Sequence, residues 1–272
     1  MKSQQIFDVA GRRAVVTGAA NGLGRAFATA LADNGALVTL VDRNAEKLEG
    51  VVTDLRKAGG NVWSAVADVA QREELHESIS AAAEKMGGLD VAFANAGIGG
   101  DLGFVLPDGS ANPSGTIDGL EDQAWRRVVE INLSGAFNTL AIVAKLLKTQ
   151  GTGGRIIVTT SVSATICIGF VGMAYNAAKA GARHMARQAA RELAPYGINV
   201  NCIAPASFIT NIGAGAMAKP EVQAAFAKLS PLGRCATTDE IQGLALLLAS
   251  DASSFITGAE IPIDGGASLG LA

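Results

Sequence analysis

The stretch 13-RAVVTGAANGLGRAFATALADNGA-36 joins a short apolar run, a glycine-rich turn and an alanine-rich helical segment. The run 13-RAVVTG-18 predicts a buried strand and 22-GLGRAFATALADNGA-36 a helix, with Gly18, Gly22 and Gly24 at the junction. A chain leaving a strand here must turn sharply and open a helix whose first N–H groups face an anion. Glycine lets a pyrophosphate approach the backbone with no Cβ in the way. The spacing in 17-TGAANGLG-24 departs from the generic G-x-G-x-x-G, so on these residues alone a tight turn without ligand is the competing reading.

The same pattern repeats along the chain. Strands are predicted at 37-LVTLVD-42, 62-VWSAVAD-68, 89-LDVAFANAG-97, 155-RIIVTTS-161, 198-INVNCIAP-205 and 259-AEIPIDGG-266. Helical patterns fill 44–60, 71–87, 121–148, 173–197 and 238–251. The strand runs are short, rich in β-branched residues and not alternating, which marks strands buried on both faces. Strict alternation of strand and helix predicts an α/β fold: one doubly wound parallel sheet over residues 1–272, with helices on both faces. One segment breaks the rhythm. The stretch 98-IGGDLGFVLPDGSANPSGTIDG-119 reads as a loop insertion, and loops of this length are usually functional.

Composition narrows the partners. The chain has 272 residues, 49% hydrophobic and 17% charged, enough for a substantial core. A net charge of -3 gives no reason to expect nucleic acid or an anionic membrane surface. No apolar run reaches bilayer length, so no membrane partner is expected. The N-terminal 1-MKSQQIFDVAGRR-13 lacks a long apolar core and a small-residue cleavage site, so no secretory leader is expected. Cys167, Cys202 and Cys235 are far apart and form no C-x-x-C, which points away from zinc and disulfides and toward a cytoplasmic protein. The two histidines, His76 and His184, have no partner pattern for a metal site or a Ser-His-Asp triad.

Two further features bear on chemistry. Asp42 ends the second strand, 42 − 24 = 18 positions after the last glycine of the turn. A carboxylate there accepts from both ribose hydroxyls and repels a 2′-phosphate, which favours NAD over NADP. Arg43 pulls the other way, but Asn21 stands where a second base for NADP would be wanted. Tyr175 and Lys179, one helical turn apart, share a helix face. A free phenol is a poor base at neutral pH, and a nearby ammonium lowers its pKa. The competing reading is a tyrosine on a packed face, which would prefer an apolar neighbour at i+4.

Taken in order, 17-TGAANGLG-24, Asp42, 68-DV-69, 95-NAG-97, Asn132, Ser161, Tyr175-x-x-x-Lys179, 205-PASFIT-210 and 255-FITG-258 resemble the short-chain dehydrogenase/reductase family in its single-domain branch. The resemblance covers about residues 8–266. It implies a Rossmann-type sheet of about seven parallel strands and a catalytic set of Asn132, Ser161, Tyr175 and Lys179. It implies cofactor contacts from the turn (Gly18, Asn21, Gly22, Leu23, Gly24), from Asp42 and Arg43, and from Asp68 and Val69 near the adenine. Asn95, Ala96, Gly97, Tyr175 and Lys179 would support the cofactor further along, and Pro205, Ile209 and Thr210 would hold the nicotinamide carboxamide. Tyr175 would be the general acid/base, Ser161 would hold the substrate oxygen, and Asn132 would anchor a water behind Lys179.

Three departures from the family pattern stand out. Ser161 is 14 positions before Tyr175, one more than the family spacing, and Ser163 is 12 before it. Ser161 is preferred because it directly follows a strand. The family's Pro-Gly reads Pro205-Ala206, and the 98–119 loop is long. The substrate should bind at the carboxyl ends of the strands, near Ser163, Ile168, Phe170 and Phe208, under a lid at about 207–230 that includes Gly213 and Gly215. No lysine or arginine occurs in the wall segments before Lys219, so a neutral, apolar secondary alcohol or its ketone is expected. The alternatives are an NADPH-dependent carbonyl or 3-oxoacyl reductase, and a silent NAD-binding sensor or scaffold. The family resemblance also implies a homo-oligomer, expected as a homotetramer.

Overall fold

β1 (Arg13–Thr17) runs through the middle of the molecule, with Ala14, Val15 and Val16 fully buried. It feeds α2 (Gly22–Asp33), and the alternation continues with β2 (Leu37–Asp42), α3 (Ala45–Lys57), β3 (Asn61–Val66), α4 (Arg72–Met86) and β4 (Val91–Ala94). The second half comprises α5 (Asp122–Val129), α6 (Gly135–Gln150), β5 (Gly154–Thr159), α7 (Met173–Leu193), β6 (Ile198–Pro205), α8 (Pro220–Ala227), α9 (Gln242–Ala249) and β7 (Glu260–Ile263). A four-residue helix, α1 (Ser3–Ile6), precedes β1. The computed structural model describes residues 3–210, 217 and 219–269. Gly213 and Gly215, and with them part of the expected lid, lie outside the described residues.

All strand pairings are parallel, in the order β3-β2-β1-β4-β5-β6-β7. The order reverses between β1 and β4, which opens a crevice at their carboxyl ends. The single doubly wound domain expected from the alternation is therefore present. One apolar layer packs α4, α6 and α7 on the sheet through Leu75, Ile79, Leu140, Val143, Ala182 and Leu193. The other packs α2, α3 and α9 through Phe27, Leu31, Leu48, Val52 and Leu248. Phe27 stacks on Phe93 of β4, ring centroids 4.7 Å apart, worth about 0.5–1.5 kcal/mol beyond burial alone.

The amino ends of the strands are tied by ion pairs. Arg13 pairs with Asp90 at 2.7 Å, and Arg155, nearly buried, reaches Asp251 at 3.0 Å and the Ser250 carbonyl at 2.9 Å. The carboxyl ends are left to loops.

Three elements differ from the sequence reading. β3 is largely exposed, with Val62 its one buried residue, because it is an edge strand with one neighbour. The expected helix at 121–148 is interrupted by a π-turn, Glu130–Ser134, closed by the Gly135 N–H donating to the Glu130 carbonyl. Residues 98–119 are folded rather than a loose loop. Leu102 bridges Val171 in antiparallel sense, Val105 bridges Ala111, and Pro113–Gly115 forms a 3-10 turn.

Candidate active site

The glycine turn is geometrically committed. Gly18 has φ +69° and Gly22 φ +52°, a region that side chains disfavour. A Cβ on Gly24 would lie 2.1 Å from the Gly18 carbonyl oxygen, so the start of α2 and the end of β1 touch through bare backbone. α2 opens here with Asn21 as its N-cap, in extended conformation and with no side-chain capping bond. The helix N-terminus and the two positive-φ glycines form a concave run of backbone suited to a pyrophosphate.

Asp42 is held over this turn. Its carboxylate accepts from the Ala20 N–H at 3.1 Å and from the Asn44 N–H at 2.9 Å. Arg43 faces Asp68 at 3.7 Å. Asp68 also caps the Ala70 N–H at 2.9 Å. Val69 is buried against Gly135, and its carbonyl accepts from Asn138 at 2.9 Å. Leu23 turns away from the turn and packs on the α2 core layer.

Asn95 ties three strands together. Its amide nitrogen donates to the Thr17 carbonyl at 3.0 Å, and its amide oxygen accepts from Thr159 at 3.1 Å. Its backbone N–H donates to the Thr17 hydroxyl at 3.0 Å. Gly18 is pressed against Ala96, since a Cβ at 18 would lie 2.7 Å from the Ala96 Cα. A Cβ on Gly97 would meet Asn132 Oδ1 at 3.0 Å and Lys179 Nζ at 3.5 Å, so these three residues converge. Thr210 lies beside Gly22, 3.4 Å from where a Cβ there would sit. Ile209 donates its N–H to the Ala236 carbonyl at 2.9 Å, and the Pro205 carbonyl accepts from Ser161 at 3.4 Å.

Asn132 sits inside the π-turn, an irregularity frequent at functional sites. Its side-chain amide pairs with both backbone groups of one residue: Oδ1 accepts from the Ile98 N–H and Nδ2 donates to the Ile98 carbonyl, both at 2.8 Å. The side chain therefore clamps the chain beside Gly97.

α7 carries Tyr175 and Lys179 on one face. The Ser161 hydroxyl pulls on the Tyr175 phenol and accepts from the Ser163 N–H at 3.1 Å. Lys179 is buried, donates to the Thr159 carbonyl at 2.8 Å, and lies 5.7 Å from the centroid of the Tyr175 ring. Burial pushes the phenol above its ordinary value, against the pull of Ser161. Burial pushes Lys179 down to about 8. The sequence had suggested that the ammonium lowers the phenol pKa. In the structure the cation faces the ring and Thr159 instead, so desolvation dominates Tyr175.

The expected substrate wall is only partly assembled. Ile168 and Phe170 are partly exposed beside the serine turn, and Phe170 meets Phe226 of α8 edge-on at 4.8 Å. Ser163 is buried within the turn. Phe208 is buried in the α2/α9 core layer and its backbone pairs with Ala236, so its ring packs the core. A phenylalanine at a strand exit reads alike as wall or core, and only the β-bridge to Ala236 decides. The structure adds the insertion to the site's surroundings. Gly103 and Val105 donate backbone N–H groups to the Phe170 and Gly169 carbonyls, both at 3.2 Å, and Gly172, the N-cap of α7, lies against Asp101 backbone.

A family model described as enoyl-(acyl carrier protein) reductase matches residues 18–268, nearly the whole chain. The chain belongs to the short-chain dehydrogenase/reductase family. Among its relatives is the cis-4-hydroxycyclohexanecarboxylate dehydrogenase of Sinomonas cyclohexanicum, 38% identical over 94% of this chain and 96% of that protein. The cyclohexanol dehydrogenase of Acinetobacter sp. strain SE19 is 31% identical over 93% of both chains. The solved gluconate 5-dehydrogenase of Burkholderia cenocepacia J2315, in complex with NADP and tartrate, superposes with a TM-score of 0.88 at 30% identity, covering 99% of this chain and all of that one.

Several supports of this short-chain dehydrogenase/reductase site carry no motif in the sequence. Thr17 and Thr159 hold Asn95 and Lys179, Asn138 holds Val69, and Arg183 and Glu260 surround the serine turn. Each is an ordinary polar residue until the sheet brings its partner alongside.

Proposed function

We propose that the chain is an NAD-dependent dehydrogenase that interconverts a neutral, rather apolar, cyclic secondary alcohol and its ketone. As a member of the short-chain dehydrogenase/reductase family it is an oxidoreductase that acts on CH–OH donors. The observation that carries the proposal is the contact between Ser161 and Tyr175, with Lys179 buried behind the ring. The residues present fit a dinucleotide: the glycine turn, the open N-terminus of α2 and the oriented Asp42 carboxylate form one continuous cradle. NAD supplies the hydride acceptor at its nicotinamide ring.

Tyr175 takes the alcohol proton, and in the reverse direction returns it to the carbonyl oxygen. Ser161 donates to the same oxygen and stabilises charge as it develops. Ser161 is preferred over Ser163 because its hydroxyl is the one that pulls on the phenol. Lys179 keeps a cation near the phenol while Thr159 fixes its height. Asn132 holds Ile98, and with it Gly97, against the lysine.

The preference for NAD rests on Asp42, oriented by two backbone donors, and on Arg43, which is drawn to Asp68. A cyclic alcohol fits the apolar Ile168 and Phe170 beside the serine turn; both relatives are named for cyclohexane-ring alcohols, one a carboxylate and the other neutral, and the neutral form is preferred because the wall segments before Lys219 carry no lysine or arginine. The assembly is read as a homotetramer and the protein as cytoplasmic.

The test is the NADH absorbance formed with a panel of cyclohexanols, polyols and charged alcohols, each offered with NAD and with NADP. Turnover is expected with NAD and neutral ring alcohols. Tyr175→Phe should lose about 10²–10⁴-fold in kcat while NAD binding survives. Turnover only with NADP, only with charged alcohols, or undiminished in Tyr175→Phe would each refute the corresponding part.

A further inference from the structure

Glu260 stands at the head of β7, opposite Cys202 of β6 in register. Its Oε1 accepts from the Thr160 hydroxyl at 2.8 Å. Its Oε2 accepts from the Thr165 hydroxyl at 3.4 Å and faces Arg183 Nη1 at 3.4 Å. Arg183 Nη1 donates in turn to the Thr165 hydroxyl at 2.5 Å and to the Ala164 carbonyl at 3.4 Å. One ion pair therefore grips the chain on both sides of Ser161: at Thr160 before it, and at Ala164 and Thr165 after it.

The Ser161 hydroxyl itself is held loosely, donating to the Pro205 carbonyl at a long 3.4 Å and accepting from the Ser163 N–H at 3.1 Å. Backbone bonds close the turn on itself, from Ala164 to Ser161 and from Thr165 and Ile166 to Val162, all at 2.9 Å, and Thr160 is tied to Ile203 of β6. None of these bonds reaches α7, so the link from the turn to the helix that carries Tyr175 runs through Arg183. Arg183 lies one helical turn beyond Lys179, so Tyr175, Lys179 and Arg183 follow each other at i, i+4 and i+8 on α7. The pair is largely shielded, with side chains 29% and 18% exposed, so its geometry is less screened than that of a surface pair.

We infer that Glu260 and Arg183 are positioning residues that fix the Ser161 hydroxyl against Tyr175 by clamping both ends of the serine turn to the catalytic helix. This rests on Ser161 being the serine that holds the substrate oxygen. Displacement of a reacting group by a fraction of an ångström is costly to the chemical step and nearly invisible to binding.

The test is a double-mutant cycle. Glu260→Gln and Arg183→Gln are each made in the wild type and in Ser161→Ala, with Thr160→Val as a variant that removes one strut only. Each protein is measured for kcat, KM, NADH affinity by fluorescence and thermal midpoint. In the wild-type background kcat should fall about tenfold, with KM and NADH affinity within about twofold. In Ser161→Ala the same changes should cost less than about twofold more. An equal loss in both backgrounds, or no loss in the wild type, overturns the positioning role while leaving Ser161 in place. Full activity in Ser161→Ala alone overturns the choice of serine and the clamp with it. Should Glu260→Gln fail to fold, Thr160→Val decides by the same criterion.

Discussion

Lys179 and Tyr175 occupy a place that opposes the charges their chemistry uses. Burial raises the phenol and lowers the ammonium to about 8, so both neutral forms are favoured in the folded chain. For the lysine this has a consequence for stability. Its folded pKa lies below the unfolded value, so between about pH 8 and 10 the native state binds fewer protons than the unfolded state. Stability owed to this residue therefore rises with pH across that window. Compared with Lys179→Met, the wild type should gain about 2 kcal/mol from pH 8 to 10 in urea unfolding. A difference that stays flat with pH would show that the amine is solvated. Cys202 answers in the opposite sense near the top of the window, since burial and then Glu260 push its thiol up to about 12, so both proteins must carry it unchanged.

Among elements, the turn between β1 and α2 is the one least free to vary. Gly24 has no room for a methyl group, because backbone of Gly18 fills the space, whereas Gly50 in the middle of α3 meets nothing within 4 Å. The two glycines should therefore respond in opposite ways to alanine. Gly24→Ala should lose about 1–3 kcal/mol and weaken NAD binding, as overpacking does. Gly50→Ala should gain about 0.5–1 kcal/mol from helix propensity and a restricted unfolded chain. Urea midpoints for both, with NADH titration of the first, check the pair; a neutral Gly24→Ala would mean that the turn can open. This element was legible in the sequence because three glycines between an apolar run and a helix have few other uses. The π-turn was not legible. 121-EDQAWRRVVEINLSGAFNTL-140 reads as one helix, and the extra residue places Asn132 where it pairs with both backbone groups of Ile98. The insertion at 98–119 was visible as polar, glycine-rich sequence. Its docking on 169–171 was hidden, since Gly103 and Gly172 show no preference for a partner until the two backbones are side by side.

The molecule as a whole divides its labour along the strand direction. Ion pairs tie the amino ends, two apolar layers fill the middle, and the carboxyl ends hold the site. The site is therefore only as rigid as the middle beneath it. Phe93 is the largest side chain of β4, fully buried and stacked on Phe27, at the strand whose end carries Asn95, Ala96 and Gly97. Phe93→Ala should cost about 3–5 kcal/mol in urea unfolding, with a loss of NAD affinity below the unfolding midpoint. A loss under about 1 kcal/mol would mean that the layers repack around the gap.

The sequence by itself determined the strand–helix alternation, the glycine turn, Asp42 and the Tyr175–Lys179 pair. Each depends on spacing within a few residues, which chain geometry converts directly into shape. The tertiary structure decided everything that needs two distant segments to meet. It moved Phe208 from wall to core, closed Asn132 onto Ile98, and turned Lys179 toward Thr159. It also set Glu260, 100 positions after Thr160, against the serine turn. Such contacts leave no local pattern, because a parallel sheet pairs residues by register across crossovers, and only the folded register says which polar group finds which.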